Sequence, residues 1–370
     1  MHDTCRTVIV RSTPGWYEPR FCNAVDLLQV VNGPSIQVIN WKRTENYNSI
    51  VKAPEHSFRS EAEFGKGFLN YFKHLKFILH VYGCLKKMKP QLIYVCDFET
   101  FLPVYFWSLT HNAVIVYDQF DPIHAKTRSR IFGKCLYRIE IEALRKVKIK
   151  LTANISRIPK KERDNWIEMK NLFPNHSGVS ENKLRKNRKI LFYGGILQSD
   201  RLLINCIDVI SVLEDWEMHI FGKGPEFKKI EARQSSNVIL HNETNHVELM
   251  TFAQQADLYL ALYDPKIENN KFTASNKLYE AAQLQIPLIT SMDTSIGDTV
   301  RNFGLGWVID PFVPAEFFKV FQNYSTLSGS ELLDIKDNLS SFLAREKLIQ
   351  KMTIDDLKSR IEHELTLGVK

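Results

Sequence analysis

The residues best placed to do chemistry lie in Ala274-Ser-Asn-Lys-Leu-Tyr-Glu-Ala-Ala-Gln-Leu-Gln-Ile-Pro-Leu-Ile-Thr290. Ser275 suits a helix N-cap, so a helix is expected from about Asn276 to Leu284. The first backbone N–H groups of a helix have no internal partner and attract anions such as phosphate. Lys277 falls in that first turn and adds a full positive charge. Glu280, three residues on, shares its face. A carboxylate one turn below a phosphate site can accept hydrogen bonds from ribose hydroxyls. This pattern fits a sugar-nucleotide clamp. An ordinary surface Lys–Glu pair has the same spacing.

A second group lies in the first half. Asp97, Asp118, Asp121 and His124 fall at or just after the ends of expected strands. They stand as candidate site residues, with Asp121 and His124 also as catalytic candidates, His124 because an imidazole exchanges protons near neutral pH. Asp118 and Asp121 could equally serve to cap a following helix.

These residues need a scaffold that brings strand ends together, and the chain supplies one. Short β-branched or aromatic runs occur at Thr7–Arg11, Ser35–Asn40, Gln91–Cys96, Ala113–Tyr117 and Ile149–Thr152. A second series follows at Ile190–Tyr193, Glu217–Phe221, Val238–His241, Leu258–Leu262 and Leu288–Thr290. Each is bounded by turn or charged residues and reads as a strand. Helices are expected between them. In Gly67–Lys87, Phe68, Phe72, Leu75, Leu79 and Tyr82 recur at three- and four-residue steps as one apolar stripe. In the second half helices are expected at 200–213, 225–233, 247–255, 276–284 and 314–323. Pro174–Lys189 is polar and without apolar period, which marks a linker.

Two successive β/α alternations predict an α/β chain with two mostly parallel sheets, each covered by helices. Ligands of such sheets sit beyond the carboxyl ends of the strands. The expected division is 1–174, a linker at 175–188, 189–330, and a helical tail at 331–370 that packs back on the first domain.

Composition limits the alternatives. The 370 residues are 44% hydrophobic and 25% charged, which excludes disorder, collagen or coiled coil as whole-chain readings. The net charge of +7 favours an anionic partner. The six cysteines form no C-x-x-C pair, which fits a reducing cytoplasm. No apolar run reaches the ~18 residues of a membrane span, and no apolar segment of the signal-peptide kind follows Met1.

Other motifs carry little. Gly222-Lys-Gly-Pro-Glu-Phe227 begins a G-x-G-x-x-G pattern but lacks its last glycine. Asp97-Phe-Glu99 only superficially resembles a metal-binding D-x-D, and no metal site is expected. Residues 65–89 hold six lysines and no acid, and residues 126–150 hold nine Lys or Arg against two Glu. Such stretches are solvated helix faces by default, and a basic helix rich in Phe and Tyr also suits an anionic membrane surface. No nucleic-acid-binding module accompanies the charge, so no nucleic acid is expected.

The Ala274–Thr290 stretch resembles the K-L-(Y/F)-E-(Y/A)-(M/A)-A-x-G-x-P-(V/L)-I signature of group 1 (family 4) GT-B glycosyltransferases. Three further blocks agree in order. Leu191-Phe-Tyr-Gly-Gly-Ile-Leu-Gln-Ser-Asp-Arg201 resembles the family's Y-x-G-x-L-x-x-x-R/K-G. Phe221-Gly-Lys-Gly-Pro-Glu226 resembles G-x-G-P-E, and Glu248-Leu-Met with Ala256-Asp-Leu258 resembles E-L-x6-A-D-L. In the first half, Pro19-Arg20, residues 38–43, 93–97 and 117–121 look like a bacterial surface-polysaccharide subgroup. Three positions depart from the family. Phe272 stands where an E-x7-E pair has its first Glu, Gln285 replaces the usual glycine after the helix, and the N-terminal glycine-rich loop is reduced to Pro14-Gly15.

The resemblance implies a GT-B fold of two Rossmann-like domains facing across a cleft. It implies a retaining, metal-independent glycosyltransferase, without cofactor, that moves sugar from a nucleotide-sugar to a saccharide or lipid-linked acceptor in surface-polysaccharide synthesis. Arg201 and Lys277 would hold the donor diphosphate and stabilise the leaving phosphate. Gly194, Gly195, Gly222, Asn276, Leu278 and Glu280 would complete the donor site, with Glu280 on the ribose, and Asp97, Asp118, Asp121 and His124 would lie on the acceptor side. The expected location is cytoplasmic, compatible with peripheral contact at the inner face of a membrane. Two alternatives share the fold: a nucleotide-sugar 2-epimerase, and an inactive GT-B-like subunit that binds a partner enzyme.

Overall fold

The computed structural model describes residues 7–13, 18–33, 35–43, 53–60, 69–123, 130–172, 188–242 and 244–368. His124, Pro14-Gly15 and the expected linker up to residue 187 lie outside the described residues. The chain divides into two compact units, Met1–Pro174 with Ile349–Lys370, and Asn175–Leu348.

The first unit runs β1 (Thr7–Val10), α1 (Pro19–Asn32), β2 (Ile36–Lys42), β3 (Glu55–Arg59), α2 (Leu69–Met88), β4 (Leu92–Cys96), α3 (Phe98–Ser108), β5 (Val114–Gln119), α4 (Arg130–Leu144), β6 (Ile149–Thr152) and β7 (Ile167–Glu168). Its sheet has the order β3-β2-β1-β4-β5-β6-β7, and every pairing is parallel. The central strand β4 reads Leu-Ile-Tyr-Val-Cys and is buried at all five positions. Such continuous apolar runs belong to parallel strands covered on both faces. Side chains alternate across the sheet. Ile93 and Val95 join one apolar cluster, while Leu92, Tyr94 and Cys96 join another on the opposite face.

The second unit runs β8 (Lys189–Gly194), α5 (Leu203–Ile210), β9 (Trp216–Phe221), α6 (Phe227–Glu231), β10 (Val238–His241), α7 (His246–Ala253), β11 (Leu258–Ala261), α8 (Glu268–Lys271), α9 (Asn276–Leu284), β12 (Leu288–Ser291), α10 (Ser295–Phe303), β13 (Gly306–Ile309) and α11 (Pro314–Thr326). Its sheet, also parallel throughout, has the order β10-β9-β8-β11-β12-β13. A 40-residue helix, α12 (Gly329–Gly368), follows. Its Leu357 and Ile361 are fully buried in the first unit's apolar cluster, with Ile9, Phe21 and Tyr94.

In each sheet the strand order reverses beside the first strand of the unit, between β1 and β4 and between β8 and β11. Doubly wound sheets bind ligands outside the carboxyl ends of the strands at that reversal.

Helix α2 departs from its expected packing. The stripe of Phe72, Leu75, Leu79 and Tyr82 is exposed, at 55%, 54%, 64% and 37%. The core instead takes Phe77, Val81, Leu85 and Met88, a second apolar series at nearly the same spacing. With both faces apolar, periodicity alone could not choose between them.

Candidate functional site

The second unit concentrates its polar side chains at the reversal of its sheet. Ser275 caps α9, its Oγ accepting the Lys277 N–H at 3.2 Å and bonding the Tyr263 hydroxyl at 2.6 Å. Lys277 lies in the first turn, and its ammonium stands 5.1 Å from the centroid of the Tyr193 ring. Gly195, just past β8, makes room for it. A Cβ there would lie 2.9 Å from Nζ, and the φ of +144° already disfavours a side chain. No carboxylate among the described residues pairs with the Lys277 ammonium within 4.0 Å. Burial and the Arg201 charge work against its proton. The Tyr263 and Tyr193 oxygens and Glu280 outweigh them, so the net shift is upward and the group is cationic at neutral pH.

Arg201 closes the short 3-10 turn Ser199–Arg201. Its guanidinium lies 4.6 Å from the Tyr263 ring centroid and donates to Asp200 at 3.0 Å. Asp200 also accepts from Asn270 at 3.2 Å, which fixes the carboxylate that orients the arginine. Two cations therefore rest on two tyrosine rings, one of which is bonded to the cap of α9.

Glu280 is one turn below Lys277 and 7% exposed. Its two oxygens are held separately, Oε2 by the Tyr259 hydroxyl at 2.7 Å and Oε1 by His246 Nε2 at 3.2 Å. Burial alone would raise its pKa. The His246 bond and charge, the Tyr259 bond and Lys277 overcome that and hold it below the usual carboxylate value.

The expected residues thus fall together in part. Lys277, Arg201, Gly195 and Glu280 share one network. Asn276 and Leu278 sit in the same first turn, with Leu278 buried. Gly194 packs under Leu249, where a Cβ would meet the leucine at 3.0 Å. Gly222 has a backbone role. A Cβ there would lie 1.9 Å from the Gly195 carbonyl, so the loops after β8 and β9 cross without a side chain between them. Sequence reasoning missed Tyr193, Tyr259, Tyr263, Asp200 and His246. The tyrosines lie in or beside apolar strands and carry no spacing signal. His246, one residue past the N-cap Asn245, looks like any helix start.

In the first unit the candidates are further apart in character. Asp118, next to last in β5, is fully buried, ion-paired with Arg20 and accepting from the Tyr94 hydroxyl at 2.5 Å. Asp97 accepts the backbone N–H groups of Phe120 and Asp121 at 2.8 and 3.1 Å. Asp121 is half exposed, 3.6 Å from Arg157. No cluster of three or more metal-ligating side chains occurs among the described residues. No helix among them is long and apolar enough to cross a membrane.

Known structures share this architecture. The chain has the GT-B fold, two Rossmann-like parallel-sheet units in sequence. It is similar to sucrose-phosphate synthase from Thermosynechococcus elongatus (TM-score 0.69, 11% identity, covering 96% of this chain and 100% of that one). It is equally similar to Anabaena HepE in complex with UDP-glucose (0.70, 11%, 96% and 100%). WaaG, a glycosyltransferase involved in lipopolysaccharide biosynthesis, matches with a TM-score of 0.66 at 13% identity, over 96% and 99%. No protein-family model matches the sequence, and no curated protein matches it.

Proposed function

We propose that the chain is a retaining glycosyltransferase of the group 1 (family 4) type. It takes a sugar from a nucleotide-sugar and transfers it to a saccharide or lipid-linked acceptor in surface-polysaccharide synthesis, in the cytoplasm. It needs neither metal nor cofactor, and nucleic acid has no part in it. The observation that carries this reading is the Lys277 ammonium at the start of α9, charged, without a carboxylate partner among the described residues and seated over Gly195. Negative charge grows on the leaving diphosphate as the glycosidic bond breaks, and fixed cations favour that state. Lys277 and Arg201 supply them, and the oriented Glu280 carboxylate takes the ribose hydroxyls. Similarity to the UDP-glucose complex supports a nucleotide-sugar donor.

A thermal-shift screen against UDP-, GDP-, dTDP- and CMP-sugars tests it. A ligand that binds the folded state alone raises the midpoint. One nucleotide class is expected to raise it, and Glu280→Ala to abolish the rise. No rise with any donor at millimolar concentration favours the inactive-subunit reading. Donor conversion with no acceptor present favours the 2-epimerase, although none of the structures named above is an epimerase.

The exposed stripe of α2 supports peripheral contact with an anionic membrane face. Lys73, Lys76, Lys86 and Lys87 share that helix, which has no acid. Phosphatidylglycerol vesicles are expected to sediment the protein, phosphatidylcholine vesicles not, and Leu75→Ser with Leu79→Ser to reduce the bound fraction.

A further inference from the structure

Asp97 stands immediately after β4, at the strand-order reversal of the first unit's sheet. Its backbone has φ 68° and ψ 161°, a region that is nearly glycine's alone. An aspartate held there requires compensation, and the compensation is visible. Asp97 Oδ1 accepts two successive backbone N–H groups, from Phe120 and Asp121, at 2.8 and 3.1 Å. The Asp97 N–H donates to the Asp118 carbonyl at 2.9 Å.

Three other elements grip the same short segment at the end of β5. Arg20, from α1, donates to the Gln119 carbonyl at 3.2 Å. Arg157, from the turn after β6, donates to the Phe120 carbonyl at 2.6 Å and lies 3.6 Å from the Asp121 carboxylate. Glu140, from α4, accepts from the Gln119 side chain at 3.0 Å and from the Tyr117 hydroxyl at 2.6 Å. Residues 119–121 are thus fixed from four directions. The segment ends on a carboxylate whose side chain is 51% exposed. A loop that needed only to connect two elements would not demand a strained residue on the neighbouring strand.

We propose that Asp97 is a positioning residue. It holds an unfavourable backbone conformation in order to fix the amides of Phe120 and Asp121, and so sets the Asp121 carboxylate to accept a hydrogen bond from a hydroxyl of the acceptor sugar. This rests on the glycosyl-transfer reading, but the positioning itself does not. Asp97 acts on the acceptor through Asp121.

The test is backbone hydrogen exchange at 119–121 in the full chain, with nucleotide release read in parallel from UDP-, GDP- and dTDP-glucose and CMP-sialic acid in the presence of mixed soluble monosaccharides. Asp97→Gly removes the two accepted bonds while allowing the backbone angles. It is expected to speed exchange of the Phe120 and Asp121 amides at least tenfold and to raise the acceptor KM at least tenfold. Asp97→Asn keeps an oxygen for both N–H groups and is expected to recover most of the protection. Arg157→Met, which removes one grip and leaves Asp97 in place, is expected to give a smaller increase in exchange. It keeps the question open to measurement should the glycine variant fail to fold. Asp121→Asn is expected to leave exchange slow and raise the acceptor KM. Slow exchange in Asp97→Gly, or loss in Asp97→Asn as large as in the glycine variant, overturns the positioning role. Unchanged acceptor KM in Asp121→Asn overturns its consequence. If the wild type neither releases nucleotide from any of the four donors nor gains thermal stability with one of them, the transferase reading fails, while the exchange result still decides the clamp.

Discussion

The two units place cations at the same topological point and use them in opposite ways. In the first, Arg20 is 2% exposed and spends its charge on Asp118, which is fully buried. In the second, Lys277 has no carboxylate within pairing distance among the described residues, and Arg201 keeps one carboxylate partner beside the buried Tyr263 ring. The Arg20 charge is matched inside the fold, whereas the Lys277 ammonium beside the Tyr193 ring still has an anion to find. The difference teaches which cations hold the fold and which are left to meet a ligand.

The contrast can be broken most forcefully at the arginines. Arg20→Met leaves the Asp118 carboxylate buried and uncompensated, and is expected to cost about 3–5 kcal/mol of stability. Arg201→Met removes a partly exposed pair, is expected to cost less than about 1 kcal/mol, and to lower sugar-nucleotide turnover by about a hundredfold. Urea denaturation and nucleotide release separate the two. Equal stability losses would erase the distinction.

Glu280 sharpens it through pH. Its carboxyl is held below the ordinary 4.5, so the stability it contributes is fully present above that value. It is lost as the pH falls through the lower folded-state value. Denaturation midpoints measured from pH 6 downward should fall in this acid window, and Glu280→Gln should flatten that limb. The smallest effect is expected at Gln285, which ends α9 in the left-handed conformation at φ 54° and ψ 41°. Gln285→Gly should stabilise the chain by up to about 1 kcal/mol, offset in part by the loss of its 2.8 Å bond to Ser340.

How far these features could be read in advance follows from their physics. Helix α9 was legible to its ends, Asn276 and Leu284, because a capping serine opens it and the apolar period is clean. Strand β4 was legible because its apolar run is uninterrupted. Strand β3 was not, since Glu-His-Ser-Phe-Arg offers no alternation and forms by pairing beside β2. Helix α10, Ser-Ile-Gly-Asp-Thr-Val-Arg-Asn-Phe, has β-branched residues and a glycine that only tertiary packing makes helical. Lys277 and Glu280 could be found because both belong to one helix. Tyr259 and His246 reach Glu280 from two other elements, and no local spacing encodes such a meeting. The strain at Asp97 was invisible for the same reason, being repaid by amides 23 and 24 residues away.

Helix α12 sets an order of events during synthesis. Leu357 and Ile361 complete the apolar cluster whose other members include Ile9 and Phe21. The strands of the first unit end at Glu168, so its core stays open while nearly two hundred further residues are made. At about 5–20 residues per second that interval is on the order of 10–40 s. Through it the growing chain carries an unsealed greasy surface. A nascent chain arrested at Leu348 should therefore engage holding chaperones and resist protease less well than one arrested beyond Ile361.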